Sequence, residues 1–161
     1  MPLKFKHKIE NGVSKVHWHG SIDEDWDSSV NELSTELKDN AEFYFTNIDT
    51  LNSIGIRMWT QFIEEVSSNR KIKYFECPSL IMRVLSISNR FLGNASLESF
   101  YVTFDCPECD AEIAVKFDTE QGISAIHEEA ANQKCRSCGQ PMEFQEDPGI
   151  YEEIIQKPAS K

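Results

Sequence analysis

Two pairs of cysteines have the spacing of a metal site. Cys106 and Cys109 form the first pair and Cys135 and Cys138 the second, with 25 residues between the pairs. Two residues between paired cysteines let both thiolates turn toward one ion, and two such pairs supply the four ligands that tetrahedral zinc prefers. Because four cysteines leave no coordination position open, the sequence predicts one structural zinc ion rather than a catalytic one.

The residues that follow each pair favour strands. Ile113, Val115 and Phe117 alternate with other residues after the first pair, and the segment 142–144 follows the second. Over residues 106–145 the pattern resembles the zinc-ribbon fold. Iron is an alternative ion for four thiolates and would leave the fold unchanged. A redox dithiol is a further alternative, but it needs a single cysteine pair at the start of a helix.

The remaining residues with metal-binding or nucleophilic side chains lack partners in the sequence. His127 lies between the cysteine pairs at a spacing that fits neither, so we expect it in a loop or short helix. His17 and His19 share one face of a predicted strand, with no third ligand evident. Cys77, before a proline, is expected to be a small buried apolar residue rather than a nucleophile.

The first hundred residues alternate between strand and helix patterns. Asn11-Gly12 predicts a tight hairpin turn. A capping box at Ser29 and Glu32 marks a helix start, although Asp27 or Ser28 could cap equally well. The run 43–48 is typical of a buried central strand. The order is β-β-α-β-α-β-α-β, with strands over 5–9, 13–18, 43–48, 71–76 and 100–104 and helices over 26–37, 54–66 and 80–92.

This order predicts an α/β fold, a mixed sheet with helices packed on it, followed by the small β ribbon. We expect an α/β domain over 1–104, a zinc ribbon over 105–150 that extends the last strand of the sheet, and a C-terminal tail over 151–161. Of the net charge of −11, residues 101–150 carry −8, from 11 acidic and 3 basic residues. Such a segment repels nucleic acid and anionic membrane surfaces, so neither is an expected partner.

Localisation follows from what the sequence lacks. No apolar run approaches the ~18 residues of a membrane span, and the first residues show no secretory signal. We therefore expect a cytoplasmic protein, in which paired thiols stay reduced and bind metal.

The segment 46–57 resembles the helix-start motif of STAS domains, the anti-sigma-factor antagonists. In that family a strand ends in a pattern like Asp-Ser-Ser-Gly-Leu, and a partner kinase phosphorylates the first serine. Here Asn52 stands at the aspartate, Ser53 at the phosphorylated serine, Ile54 at the second serine and Gly55 at the glycine. The resemblance, over about 100 residues, implies a STAS-like fold and a regulatory protein partner such as a kinase-type anti-sigma factor.

The same residues also have a plain physical interpretation. Asn52 or Ser53 can cap the following helix by accepting a free amide. A glycine inside a helix costs about 1 kcal/mol relative to alanine, so Gly55 indicates close packing or the approach of a partner. Asn52, Ser53 and Gly55 are therefore candidates for partner binding, and Ser53 for phosphorylation.

Two functions remain open from the sequence. The first is a non-enzymatic regulatory interaction module that presents the Ser53 loop to a protein, stabilised by a structural zinc ribbon. No phosphate-binding glycine loop, catalytic triad order or acid pair is present in the sequence. The second is an enzyme or small-ligand-binding α/β domain with its pocket near Ser53.

Overall fold

The computed structural model describes residues 2–146 and 148–156. The strands are β1 (Lys4–Glu10), β2 (Val13–Ile22), β3 (Asn40–Leu51), β4 (Lys71–Phe75), β5 (Ser96–Leu97), β6 (Ser99–Asp105), β7 (Glu112–Asp118) and β8 (Glu143–Phe144). The α-helices are α1 (Ser28–Leu33), α2 (Ser53–Val66), α3 (Ser79–Ile87), α4 (Gly122–Asn132) and α5 (Pro148–Gln156). Along these described residues, no helix has both the length and the apolar character needed to cross a bilayer.

Five strands form the larger sheet, in the order β1-β2-β3-β4-β5. Asn11 and Gly12 turn the β1–β2 hairpin with φ values of 52° and 78°, left-handed values that these residue types tolerate. β1 is antiparallel to β2, and the other neighbours are parallel, joined by crossovers that include α1, α2 and α3. The predicted mixed α/β fold is confirmed.

Aromatic side chains fill the core on one face of this sheet. Trp18, Phe43, Phe45, Trp59 and Tyr74 are fully buried. Most of their rings meet at steep angles, as for Trp18 and Trp59, whose centroids lie 4.9 Å apart at 83°. The Tyr74 hydroxyl donates to a main-chain carbonyl at 2.7 Å, so this deeply buried polar group is satisfied.

The helix predicted over 26–37 is shorter in the structure. It is α1 alone, and Asp27 caps it by accepting the Ser29 amide at 2.8 Å, so the predicted capping box at Ser29 is wrong and the alternative cap at Asp27 is confirmed. After Leu33 the hydroxyls of Ser34 and Thr35 donate to carbonyls three residues back. Such local bonds compete with helix continuation, and the chain passes into turns.

The helix predicted over 80–92 is divided in two. α3 ends at Ile87, and Ser88 has extended backbone angles. The Ser88 hydroxyl accepts the Arg90 amide at 3.3 Å and so caps a separate 3-10 turn, Asn89–Phe91. Gly93, with φ of 61°, then redirects the chain toward β5.

The strand predicted over 100–104 belongs to a different sheet from the one expected. The last strand of the larger sheet is β5, and β6 pairs with β7 and β8 in a three-stranded antiparallel sheet. The prediction that the ribbon extends the larger sheet is therefore wrong. The two sheets meet at one isolated bridge, where the Tyr101 amide donates to the Cys77 carbonyl at 2.8 Å. The domain division at residue 104 stays a prediction, since β6 runs across that position.

Part of the predicted tail is helical. Residues 151–156 lie in α5, where the Tyr151 ring is fully buried and stacks on Phe100 at 5.7 Å. Just before α5, the Glu146 carboxylate accepts from the Arg83 guanidinium of α3 at 2.6 Å. The end of the tail, 157–161, lies outside the described residues. The helix α5, which the sequence did not predict, thus packs between the three-stranded sheet and α3.

Candidate functional site

The first cysteine pair lies in the turn between β6 and β7. The ladder of these two strands ends at Asp105 and Glu112. Beyond it the Cys106 amide donates to the Ala111 carbonyl at 2.8 Å, and the Asp110 amide donates back to the Cys106 carbonyl at 3.1 Å. Asp110 takes φ of 57°, the left-handed conformation that closes this loop.

The second pair lies in a loop of the same design. The Cys135 amide donates to the Gln140 carbonyl, and the Gly139 amide donates to the Cys135 carbonyl, both at 2.8 Å. Gly139, with φ of 77°, occupies the left-handed position that Asp110 occupies in the first loop. The short pairing of β8 with the end of β6 brings the second loop against the first.

The structure brings the four cysteine sulfur atoms together, within 4.8 Å of one another. Sγ of Cys106 lies 3.5 Å from Sγ of Cys138, and Sγ of Cys109 lies 3.3 Å from Sγ of Cys135. A tetrahedral ion with metal–sulfur bonds of ~2.3 Å requires sulfur separations of ~3.8 Å, whereas a disulfide requires ~2.05 Å. The spacing fits the corners of a metal site, and all four cysteines are free thiols.

Main-chain amides point at these sulfurs. The amide of Cys138 donates to the Cys135 sulfur, the Cys109 sulfur lies in contact with it and the amide of Ser137 also donates to it, and together they lower the pKa of Cys135 to about 6. Amides also point at Cys109 and Cys138, while crowding by neighbouring thiols raises the pKa of both. Amides directed at sulfur favour thiolates, and thiolates held this close need a cation among them. We name these four residues the cysteine cluster.

The start of α2 is the second candidate site. Asn52 is the cap, since its Oδ1 accepts the Gly55 amide at 2.9 Å, and Ser53 is the first helical residue. The side chains of Asn52, Ser53 and Ile54 are exposed. The Asn52 side-chain amide also donates to the Glu24 carboxylate at 2.6 Å, a contact that no local sequence pattern indicated.

Gly55 is in contact with the end of β2. A Cβ atom at this position would lie 1.9 Å from the Ile22 carbonyl oxygen and 2.5 Å from the Asp23 amide nitrogen. The same Ile22 oxygen accepts the Asn52 amide at 3.1 Å. The absence of a side chain therefore lets α2 begin directly against the β2 main chain, which explains the glycine by internal packing.

A groove of about 390 Å³ runs beside Ser53. Its polar lining consists of hydroxyl, amide and guanidinium groups, from Ser53, Arg57, Thr60, Gln61, Ser88 and Arg90. This lining contains no carboxylate, imidazole or thiol that could act as a general base. Arg90 is held in place by the Glu64 carboxylate at 3.0 Å.

The other singled-out residues stay outside both sites. His127 lies on α4, edge-on to the Phe144 ring at 6.3 Å, and is not a member of the cysteine cluster. Cys77 is buried, and burial raises the pKa of its thiol well above the ordinary value. His17 stacks on Tyr44 at 4.5 Å. Tyr44 is only half-buried, so one face of β3 is partly exposed, whereas the sequence predicted a buried strand. The alternation of Glu42, Tyr44 and Thr46 with apolar residues could have indicated this exposed face.

Comparison with known proteins finds matches among solved structures. No family model matches the chain, and no curated protein matches its sequence. Among solved structures, an anti-sigma factor antagonist from Mycobacterium paratuberculosis matches 54% of this chain and 78% of its own length, with 13% identity and a TM-score of 0.46.

Proposed function

We propose that this chain is a non-enzymatic regulatory protein-interaction module that presents the start of α2 to a cytoplasmic protein partner. The observation that carries the proposal is the construction of this helix start. Exposed Ser53 and Ile54 stand beside Gly55, whose main chain lies against Ile22. The positions of Ser53 and Ile54 are therefore fixed before a partner binds, which lowers the conformational entropy that is lost on binding.

The groove beside Ser53 supports binding rather than catalysis. It is large enough for a small ligand, but its lining offers no general base. The Arg57 guanidinium suits instead a carboxylate of a protein partner, whereas the Arg90 guanidinium is already paired with Glu64. Ile87, the residue before Ser88 in the chain, is 86% exposed and offers an apolar side chain that a partner could cover.

The class of partner is taken from the sequence resemblance at Asn52, Ser53 and Gly55. In the resembled family the partner is a kinase-type regulatory protein that phosphorylates the serine at the position of Ser53. A phosphate on Ser53 would be favoured by the amides of the first helical turn but would lie near the Glu24 carboxylate, which contacts Asn52. We expect phosphorylation to weaken binding through this added negative charge.

A quantitative pull-down from the native cytoplasm tests the module. Ser53→Asp adds a charge at the proposed contact, and Ser68→Asp adds the same charge at an exposed position just after α2 ends. We expect proteins retained by the unmodified chain to be lost with Ser53→Asp and kept with Ser68→Asp. Retention that is equal for both variants, or turnover of a small substrate that depends on Ser53, would remove the proposal.

We further propose that the cysteine cluster binds one zinc ion in a structural role. The support is the four sulfurs at near-tetrahedral separations, together with the two loops of matching design that hold them. Four thiolates fill the coordination shell, so the ion would hold the loops together and bind no substrate. Elemental analysis and native mass spectrometry of the purified chain should find one zinc per chain. Iron in its place, or no metal, contradicts this assignment.

A further inference from the structure

The larger sheet has a second face, opposite the aromatic core. Its side chains are exposed or half-buried, whereas those that β2, β3 and β4 direct to the core face are buried. We name it the outward face, and it consists of Lys6 and Lys8 on β1, Lys15 and His17 on β2, Glu42 and Tyr44 on β3, and Lys71, Lys73 and Phe75 on β4. None of these residues belongs to the cysteine cluster or to the start of α2.

A row of stacked rings crosses the middle of the outward face. His17 stacks on Tyr44 at 4.5 Å and 9°, and Tyr44 stacks on Phe75 at 5.1 Å and 17°. These spacings equal the ~4.8 Å between neighbouring strands, so the rings stand upright on the sheet with their edges outward. The row is an apolar ridge in which both faces of the central Tyr44 ring are covered by its neighbours.

Lysines surround this ridge. Five lysines and one glutamate belong to the outward face, and Glu10 reaches it from the end of β1, within 3.2 Å of Lys8 and Lys15. At the border, Glu76 and Lys116 are 3.9 Å apart and add no net charge. Among the described residues, Lys6, Lys71 and Lys73 have no carboxylate within 4.0 Å. A positively charged face is thus present on a chain whose net charge is −11.

A depression of about 590 Å³ lies at one end of the ridge. It is lined by hydrogen-bond donors that include Lys6, Lys8, His17, His19 and Asn47. The register of β2 against β3 shifts between His17 and His19, at the same place. The outward face therefore combines an apolar ridge, a basic surround and a recess rich in donors.

We propose that the outward face binds an acidic segment of a protein partner. Charge complementarity selects an acidic ligand. The lysines span β1 to β4, about 14 Å at the ordinary strand spacing, so the ligand must carry several separated anions. An extended peptide with a carboxylate at every second residue meets this requirement, and its apolar residues can cover the ridge, since aromatic side chains are enriched in protein interfaces.

Nucleic acid fits the outward face less well. Proteins that bind single strands stack bases on open aromatic faces, but here the faces of Tyr44 are covered on both sides by its neighbours. A long polyanion would also meet the remaining negative charge of the chain, whereas a short acidic segment need contact only the basic area.

Selection from a random-peptide phage library on the full zinc-loaded chain tests the proposal. We expect enriched peptides to combine Asp or Glu with aliphatic or aromatic residues, and amide NMR shifts on adding the best peptide to map to β1–β4. The double variant Lys6→Glu/Lys73→Glu should raise its Kd by about tenfold or more, and binding should weaken as salt is raised. The matched control Lys38→Glu/Lys134→Glu has the same change in charge at exposed positions outside the outward face and the groove, and should bind like the unmodified chain.

Several results would overturn the proposal. One is a set of selected peptides that is not enriched in Asp or Glu. Another is a peptide Kd that is equal for the unmodified chain and for Lys6→Glu/Lys73→Glu. A third is binding of single-stranded RNA or inorganic phosphate to the outward face more tightly than the best peptide. Loss of the peptide with the separate variant Arg57→Glu instead would place it in the groove beside Ser53, again against the proposal. Circular dichroism and zinc content identify misfolded variants, and the neutral pair Lys6→Gln/Lys73→Gln then replaces the charge reversal.

Discussion

Replacing Gly55 with alanine should damage the junction between α2 and β2. The added methyl group would lie 1.9 Å from the Ile22 carbonyl oxygen, whereas Cβ contacts below 3.0 Å are essentially never observed. The helix start must therefore move by about 1 Å relative to main-chain atoms, which cannot give way as a flexible side chain would. Such overpacking costs about 3 kcal/mol at the upper end of its usual range.

Two smaller effects modify this cost. The movement weakens the bond between the Asn52 amide and the Ile22 oxygen, at 3.1 Å, for about 1 kcal/mol more. Alanine returns about 1 kcal/mol because it favours the helix more than glycine does. We expect the free energy of unfolding to fall by about 3 kcal/mol, a large share of the ~5–15 kcal/mol of an ordinary domain.

Urea unfolding of the zinc-loaded chain, followed by far-ultraviolet circular dichroism, measures this loss. Gln61→Ala is the control, because Gln61 is exposed on the same helix and its replacement should change stability by no more than about 0.5 kcal/mol. If Gly55→Ala were as stable as the control, the junction with Ile22 would have room for the added methyl group. The interpretation of Gly55 as a packing requirement would then be refuted.

Four further predictions concern the metal, one thiol, one carboxylate and nucleic acid. Chelation of zinc at neutral pH should remove amide-exchange protection from β7 and α4 but leave β3 and α2 protected, and one-step unfolding of the whole chain would contradict the division at residue 104. Cys77 should react with a thiol reagent only after unfolding, since burial raises the pKa of its thiol and blocks access, and rapid reaction in the native chain would contradict this. The ammonium of Lys4 and the Ser29 amide hold the pKa of Asp27 well below its usual range, so its stabilising contribution is fully present above the unfolded pKa of about 3.9 and is lost as pH falls below it. Asp27→Asn should therefore flatten the dependence of the free energy of unfolding on pH below about pH 4 and leave it unchanged between that pH and neutrality, and an unaltered acid dependence would contradict this. Generic single- or double-stranded nucleic acid should not shift in a mobility assay with micromolar protein at physiological salt, and a clear shift would oppose the charge argument.

The sequence by itself determined the features that depend on neighbours along the chain. The grouping of the four cysteines followed from their spacing, because two residues between paired cysteines leave few ways to direct both sulfurs. The hairpin at Asn11-Gly12 followed for the same reason, as did a helix cap at Asn52 or Ser53, since a left-handed turn and a free helical amide are satisfied within a few residues; the structure shows that the cap is Asn52. The alternation of strands and helices indicated the mixed sheet.

Only the tertiary structure decided which surfaces meet. The β6 pattern is that of any buried strand, and it joins β7 and β8 because pairing partners are chosen across the whole chain. The contacts of Gly55 with Ile22 and of Asn52 with Glu24 link residues about thirty positions apart. The outward face was not visible in β3 alone, because its row of His17, Tyr44 and Phe75 exists only once β2, β3 and β4 lie in register. Register is a property of the assembled sheet, and it set both the basic face and the place of the cysteine cluster.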